Sequence, residues 1–256
     1  MELMCRHLAY LGPEVSLGDL LTAPEHSLYR QSWAPRRQKY GTVNADGFGV
    51  GWYAPGDPVP ARYRRAGPIW ADACLPDLAR VVRSGAVLAA VRDATLACPD
   101  GEAAAAPFAG GPWLFSHNGA VSGWPGSLGP LAATLPSEAL LGLEARCDAA
   151  LLWALVKHRL EQGADVSEAL SETVREVAGA APGSRLNLLL TDGATIAATT
   201  WGDTLFHRRV PGPAPGMLIA SEPSDDEDDW TEVPDRTLLT ATATDVLLTP
   251  LKEPTA

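Results

Sequence analysis

The stretch Met4-Cys5-Arg6-His7-Leu8-Ala9-Tyr10-Leu11-Gly12-Pro13 places a cysteine just before a short apolar run near the start of the chain. The run ends at Gly12-Pro13, which predicts a buried strand over residues 7–11. If the residues before Cys5 are removed, its thiol and a free α-amine belong to one residue. Their ordinary pKa values are about 8.5 and about 7.7–8.0, so the amine can take the thiol proton and return it to a leaving nitrogen. Cys5 is therefore a candidate nucleophile with its own base; the alternative is a small buried hydrophobic residue.

This chemistry requires Cys5 to be the first residue of the mature chain. Met4 precedes it directly, and a small residue such as cysteine permits removal of an initiator methionine. We therefore expect residues 1–4 to be removed, or the true start to be Met4. A length of 256 residues suits one large domain, which we place at residues 5–256.

The second informative segment is Ser116-His117-Asn118-Gly119, which follows a short apolar run. A side-chain amide and a backbone N–H aimed at one point can hold the oxyanion of a tetrahedral intermediate. Asn118 and Gly119 are therefore candidate oxyanion donors. The alternative is an ordinary Asn-Gly turn.

Two further segments offer groups for an amino-acid substrate. Arg92 ends the apolar run 86–91, where its guanidinium could bind a carboxylate through two hydrogen bonds, and Thr95 adds a hydroxyl three residues on. Asp148 opens a predicted helix and could pair with an α-ammonium group. Its alternative role is the N-cap of that helix.

Composition excludes several classes of function. The formal net charge of −11 argues against non-specific nucleic-acid binding, which depends on basic surface. No apolar stretch is long enough to span a bilayer, and the N-terminus has no signal-peptide pattern. Four cysteines without a CxxC pair predict neither a disulfide framework nor a zinc site, so a cytoplasmic location is expected.

The acidic run Asp225–Asp229 is interpreted as a solvated loop, with attraction of a cationic substrate as the alternative. The basic cluster Arg36–Lys39 is likewise expected to face solvent, with contact to a substrate or another subunit left open.

The order of predicted elements indicates two sheets enclosed by helices rather than a βαβ series. Strands dominate the first and last thirds of the chain, and apolar residues at helical spacing predict helices over 148–159 and 166–178. Asp192-Gly193 predicts a hairpin between two later strands. In residues 47–53, glycine at alternate positions predicts a strand with one bare face, against which something packs closely or at which something binds.

These segments resemble those of the class II glutamine amidotransferases, an N-terminal-nucleophile hydrolase family. The resemblance spans nearly the whole chain and is carried by five motifs in this order: Cys5-Arg6-His7-Leu8, Asn44-Ala45-Asp46-Gly47-Phe48-Gly49-Val50-Gly51, Val91-Arg92-Asp93-Ala94-Thr95, Phe115-Ser116-His117-Asn118-Gly119 and Ala220-Ser221-Glu222-Pro223. Residues 32–39, 199–205 and 225–230 resemble a subgroup that hydrolyses γ-glutamyl-hercynylcysteine sulfoxide in ergothioneine biosynthesis.

The resemblance implies an α+β fold in four layers, αββα, and hydrolysis of a small-molecule γ-glutamyl substrate through a cysteine thioester. It assigns Cys5 as nucleophile and base, and Asn118 and Gly119 as the oxyanion hole. The implied substrate-binding residues are Arg92, Thr95, Asp148 and His117. No metal or organic cofactor is required, no membrane or nucleic-acid partner is implied, and a homo-oligomer is compatible with the sequence.

Three other functions are weighed against this one. A glutaminase subunit would supply ammonia to a separate synthase, and a γ-glutamyl peptidase would act on glutathione-like thiols. A non-catalytic binding protein with the same fold would never expose Cys5.

Overall fold

The strand predicted after Cys5 is present and is longer than expected. The computed structural model describes residues 4–41, 43–94, 101–210, 212 and 214–252. The strands are β1 (Arg6–Ser16), β2 (Phe48–Trp52), β3 (Ala61–Arg65), β4 (Arg83–Val91), β5 (Phe108–Gly110), β6 (Trp113–Ala120), β7 (Arg185–Thr191), β8 (Ile196–Thr200), β9 (Phe206–Val210), β10 (Gly216–Ala220), β11 (Thr231–Glu232), β12 (Thr237–Ala241) and β13 (Val246–Pro250). The α-helices are α1 (Leu17–Leu21), α2 (Leu28–Gln31), α3 (Leu75–Val81), α4 (Gly129–Ala132), α5 (Ser137–Leu141), α6 (Asp148–Glu161) and α7 (Val166–Ala180).

The strands form two antiparallel sheets. The first sheet has seven strands in the order β11-β9-β10-β1-β4-β2-β3, so β1 lies at its centre. The second sheet has six strands in the order β13-β12-β8-β7-β6-β5. The predicted hairpin is confirmed, because β7 and β8 pair directly and Gly193 between them has a φ of 88°.

Three apolar clusters separate four layers. One cluster joins the outer face of the first sheet to α1, α2 and α3, and another joins the outer face of the second sheet to α6 and α7. The third lies between the sheets. Strand β1 shows why: its alternating side chains send Leu8 and Tyr10 to the helices and Ala9 and Leu11 to the space between the sheets. The predicted αββα architecture is confirmed.

The two helices predicted from periodicity are also present, as α6 and α7. Most of α6 is buried, from Ala150 to Val156, because it packs on the second sheet and beside α7. Helix α7 begins at an N-cap, Asp165, whose carboxylate accepts hydrogen bonds from the backbone N–H groups of Ser167 and Glu168. None of the described helices has both the length and the apolarity needed to cross a bilayer.

The bare face of β2 packs closely against the second sheet and the segment that precedes it. A Cβ added at Gly49 would lie 2.4 Å from the carbonyl oxygen of Ala106, and one at Gly51 would lie 2.7 Å from Leu114 Cδ1. The sequence expectation of close packing against these glycines is confirmed. Because glycine has no Cβ, residues of and next to the second sheet can pack directly on the backbone of β2.

We predict that Gly51→Ala destabilises the protein by about 1–3 kcal/mol, because the new methyl group overpacks against Leu114. Equilibrium denaturant unfolding measures the change. The matched control is Gly67→Ala, since a Cβ at Gly67 has nothing within 4 Å. Equal free energies of unfolding for the two variants would contradict the close sheet contact.

Candidate active site

The ends of β1 and β4 place Cys5 beside Arg92 and Asp93. Arg6 lies opposite Val91 in the antiparallel register, so the residue before β1 meets the residues after β4. The Cys5 Sγ donates to the backbone oxygen of Asp93 at 3.8 Å. Two segments separated by 88 positions are thereby joined at Cys5.

Residues of the second sheet and of α6 line the side of the pocket opposite Cys5 and Arg92. Strand β6 carries Ser116-His117-Asn118-Gly119, and α6 begins at Asp148 close to the end of β6. One pocket brings together five of the predicted residues: Cys5, Arg92, His117, Gly119 and Asp148. Asn118 is fully buried next to this pocket and is not among its lining residues. Thr95 lies outside the described residues.

Gly119 has a conformation that only glycine adopts easily. Its φ is 148°, and a Cβ there would lie 2.0 Å from the backbone oxygen of Arg185. The same oxygen accepts a hydrogen bond from His117 Nε2 at 3.0 Å. Glycine at this position therefore lets β6 approach β7 closely, while the His117 ring is held against the same carbonyl group.

Asp148 is fixed by backbone donors. Its Oδ2 accepts from the Val121 N–H at 3.0 Å, and its Oδ1 accepts from the Ala149 N–H at 2.8 Å. The alternative role as N-cap is wrong, because Cys147 occupies that position and Asp148 is the first helical residue. Each carboxylate oxygen has a second lone pair, so the group can still accept from an ammonium ion.

Arg92 belongs to a backbone connection with the segment before β2. Its N–H donates to Gly47 O at 2.8 Å, and its carbonyl accepts from Asp46 N at 3.0 Å. The guanidinium Nη1 donates to the Asp46 carbonyl at 3.1 Å. These contacts orient the half-buried guanidinium at the edge of the pocket.

A second carboxylate lies near the Cys5 thiol. The pKa of Asp93 is raised to about 6, first by burial and second by the Asp46 carboxylate, while Arg92 opposes the rise. Asp93 lines the pocket through the same segment that contacts Cys5. The pocket therefore combines one guanidinium with two carboxylates, Asp93 and Asp148, around a thiol.

The thiol is a poor nucleophile while residues precede it. The pKa of Cys5 is raised to about 11, chiefly by burial; the Asp93 backbone contact and Arg92 oppose the rise, and the Asp93 and Asp148 carboxylates add to it. Among the described residues, the hydrogen-bond partner of Sγ is a carbonyl oxygen, which cannot take its proton. His7 offers no substitute, because burial, His117 and Arg6 lower its pKa to about 3 and its Nδ1 contacts Ser116 Oγ instead.

Residues 226–229 of the acidic run and Arg36, Arg37 and Lys39 of the basic cluster are exposed, as the sequence predicts, but the two segments also form ion pairs. Asp226 pairs with Arg36 at 2.6 Å, and Arg208 lies 2.9 Å from Asp225 and 3.3 Å from Asp229. The sequence offered no spacing rule for these pairs, since their partners lie 17 to 190 positions apart.

Sequence reasoning gives no separate role to Ser221, which belongs to the motif Ala220-Ser221-Glu222-Pro223. It is fully buried, and its hydroxyl contacts both β1 and the Asn118 side chain. The signal available in the sequence was its place directly after a buried strand.

An αββα frame with a cysteine leading the central strand of one sheet is the architecture of N-terminal-nucleophile hydrolases. Residues 21–215 match the class-II glutamine amidotransferases, and the chain belongs to that family. The predicted family and fold are confirmed.

Known relatives match almost the whole chain. The chain is 42% identical to a γ-glutamyl-hercynylcysteine sulfoxide hydrolase of Mycobacterium tuberculosis, over 97% of each protein. It is 43% identical to the protein of the same name from Mycolicibacterium smegmatis, over 97% of this chain and 100% of that one. A solved glutamine aminotransferase class-II domain protein from Silicibacter pomeroyi is 25% identical, with a TM-score of 0.70 over 97% of this chain and 100% of its own.

We predict that Cys5 reacts slowly with iodoacetamide in protein that retains residues 1–4. With a pKa of about 11, only about one Cys5 thiol in a thousand is ionised at pH 8, and the rate rises about tenfold per pH unit below that pKa. The exposed Cys74 is the internal control and should be alkylated much faster. Peptide mapping by mass spectrometry follows both residues. Equal rates at pH 8 would show that burial does not suppress the Cys5 thiolate.

Proposed function

We propose that this protein hydrolyses the γ-glutamyl amide bond of γ-glutamyl-hercynylcysteine sulfoxide and releases glutamate, in ergothioneine biosynthesis. The observation that carries the proposal is the identity of 42–43% over 97% of the chain to two mycobacterial proteins named for that substrate. The substrate in those names agrees with the one predicted from the sequence. The pocket supports the same reaction class, because it joins a thiol to groups of both charges.

In this proposal the glutamyl head group binds between Arg92 and Asp148. The guanidinium donates hydrogen bonds to the α-carboxylate, with the Thr95 hydroxyl as a second donor, and the Asp148 carboxylate binds the α-ammonium. Asp148 is suited to this because two backbone N–H groups fix its orientation before substrate arrives. His117, held by the Arg185 carbonyl, lines the same pocket and would contact the bound head group.

The reaction begins after removal of residues 1–4, which gives Cys5 a free α-amine. The amine takes the Sγ proton, and the thiolate forms a C–S bond to the γ-carbonyl carbon while the carbonyl π-electrons move to oxygen. The Gly119 N–H and the Asn118 amide stabilise that oxyanion. Collapse of the intermediate breaks the C–N bond, and the α-ammonium returns its proton to the leaving nitrogen. Water, activated by the same amine, then cleaves the thioester and releases glutamate.

We expect the purified enzyme to release glutamate faster from γ-glutamyl-hercynylcysteine sulfoxide than from glutamine or glutathione at equal concentration. A coupled glutamate assay measures all three rates. Faster release from glutamine would favour the glutaminase function, and faster release from glutathione would favour the peptidase.

The same assay tests the nucleophile. Cys5→Ala should lower kcat by about 10³-fold or more while substrate still binds, because the thioester cannot form. Cys74→Ala, which removes an exposed thiol, is the matched control and should retain activity. Turnover that survives Cys5→Ala would contradict the mechanism.

A further inference from the structure

Ser221 follows β10 directly and extends its pairing with β1. Leu8 faces Ala220 in the strand register, and the Ser221 N–H donates to the His7 carbonyl at 3.0 Å. Ser221 is fully buried. Its position is therefore tied to the first strand only two residues after Cys5.

The regular backbone hydrogen bonding between β1 and β10 ends at Ser221. The His7 N–H donates to the Ser221 side-chain oxygen at 3.0 Å, while the Ser221 carbonyl accepts from the Thr204 hydroxyl at 2.8 Å. The hydroxyl thus takes a place that a backbone carbonyl would hold in a regular antiparallel pair. The chain can turn away after β10 without leaving the His7 N–H unpaired.

The same hydroxyl reaches the second sheet. Asn118 Nδ2 lies 3.5 Å from Ser221 Oγ, a long hydrogen bond of the kind that tightens in complexes with substrate. Among the described residues, Ser221 is the hydrogen-bond partner of the Asn118 side chain, whose Oδ1 is buried without one.

The residue facing Asn118 across the strands cannot replace Ser221. Asn187 lies opposite Asn118 in the β6–β7 register. Its Oδ1 accepts from the N–H groups of Trp201 and Asp203, and its Nδ2 donates to the carbonyls of Asp203 and Thr204. Asn187 is thus committed to the loop after β8.

We infer that Ser221 is a positioning residue, whose hydroxyl fixes the Asn118 amide relative to the nucleophile strand; this rests on the proposed function. An amide nitrogen carries two hydrogens, so one can be held by Ser221 while the other points to the developing oxyanion. The contact spans the two sheets and sets the distance between nucleophile and oxyanion donor. Catalysis is sensitive to such distances, since a misplacement of about 1 Å can cost about a hundredfold in rate.

A double-mutant cycle on Ser221 and Asn118 tests the inference. Ser221→Ala should lower kcat about tenfold to a hundredfold with KM little changed, because the donor is misplaced only where charge develops. In an Asn118→Ala background the same change should cost little more, since Ser221 acts through Asn118. Additive losses, or a change in KM alone, would overturn the inference.

Ser116→Ala is the matched control. It removes another buried hydroxyl that contacts His7, here through the ring Nδ1 at 3.2 Å, and its one described side-chain hydrogen bond does not involve Asn118. Its kcat should stay close to that of the wild type. Should Ser221→Ala fail to fold, Ser221→Cys keeps a weaker acceptor of similar shape, and an intermediate kcat is expected.

A crystal structure of the Ser221 variant separates this inference from the proposed function. The Asn118 amide should be displaced or rotated relative to the wild type, whatever the substrate; an unmoved amide would overturn the inference. Failure of the wild-type enzyme to release glutamate would instead refute the proposed function. Normal kcat in Asn118→Ala would refute the oxyanion role of Asn118 and, with it, the effect of Ser221 on catalysis, while leaving the proposed hydrolysis standing.

Discussion

The antiparallel register of β1 against β4 is the constraint on which the site depends. Because Arg6 lies opposite Val91, the residue before β1 meets the residues that follow β4, and the thiol contacts the Asp93 carbonyl. A shift of one residue would turn Cys5 to the other face of the sheet. Apolar packing on both faces of β1 opposes such a shift, since Leu8 and Ala9 lie in different clusters.

Because the Cys5 thiol is buried, it needs a nearby base to take its proton before it can react. A thiol in this pocket is stable as the neutral form, with a pKa of about 11, and the neighbouring carboxylates add to the effect. An amine on the same residue can take the proton without bringing another side chain into the pocket. Space then remains for the groups that the proposal assigns to the glutamyl head, Arg92 and Asp148, and for the glycine that brings β6 close to β7.

Local sequence patterns were sufficient to predict the main strands and helices and most residues of the pocket. They did not predict the long-range hydrogen bonds and ion pairs around it. The strand after Cys5, the helices α6 and α7 and the Asp192-Gly193 hairpin follow from periodicity and turn chemistry, which act over a few residues. The predicted site residues could be chosen because their types suit the chemistry. The role of Ser221 could not be predicted, because its partners lie 214 and 103 positions away. The pairing of the acidic run with Arg36 and Arg208 was missed for the same reason.

In the proposed mechanism, Cys5 becomes a nucleophile within a glutamyl pocket once the residues before it are removed. The most direct test is the intact mass of protein made from its native start codon, before and after treatment with an electrophilic glutamine analogue. The account predicts a chain that begins at Cys5 and gains one adduct on that residue. A chain that retains residues 1–4 and stays unlabelled, in protein that nevertheless releases glutamate from its substrate, would contradict it.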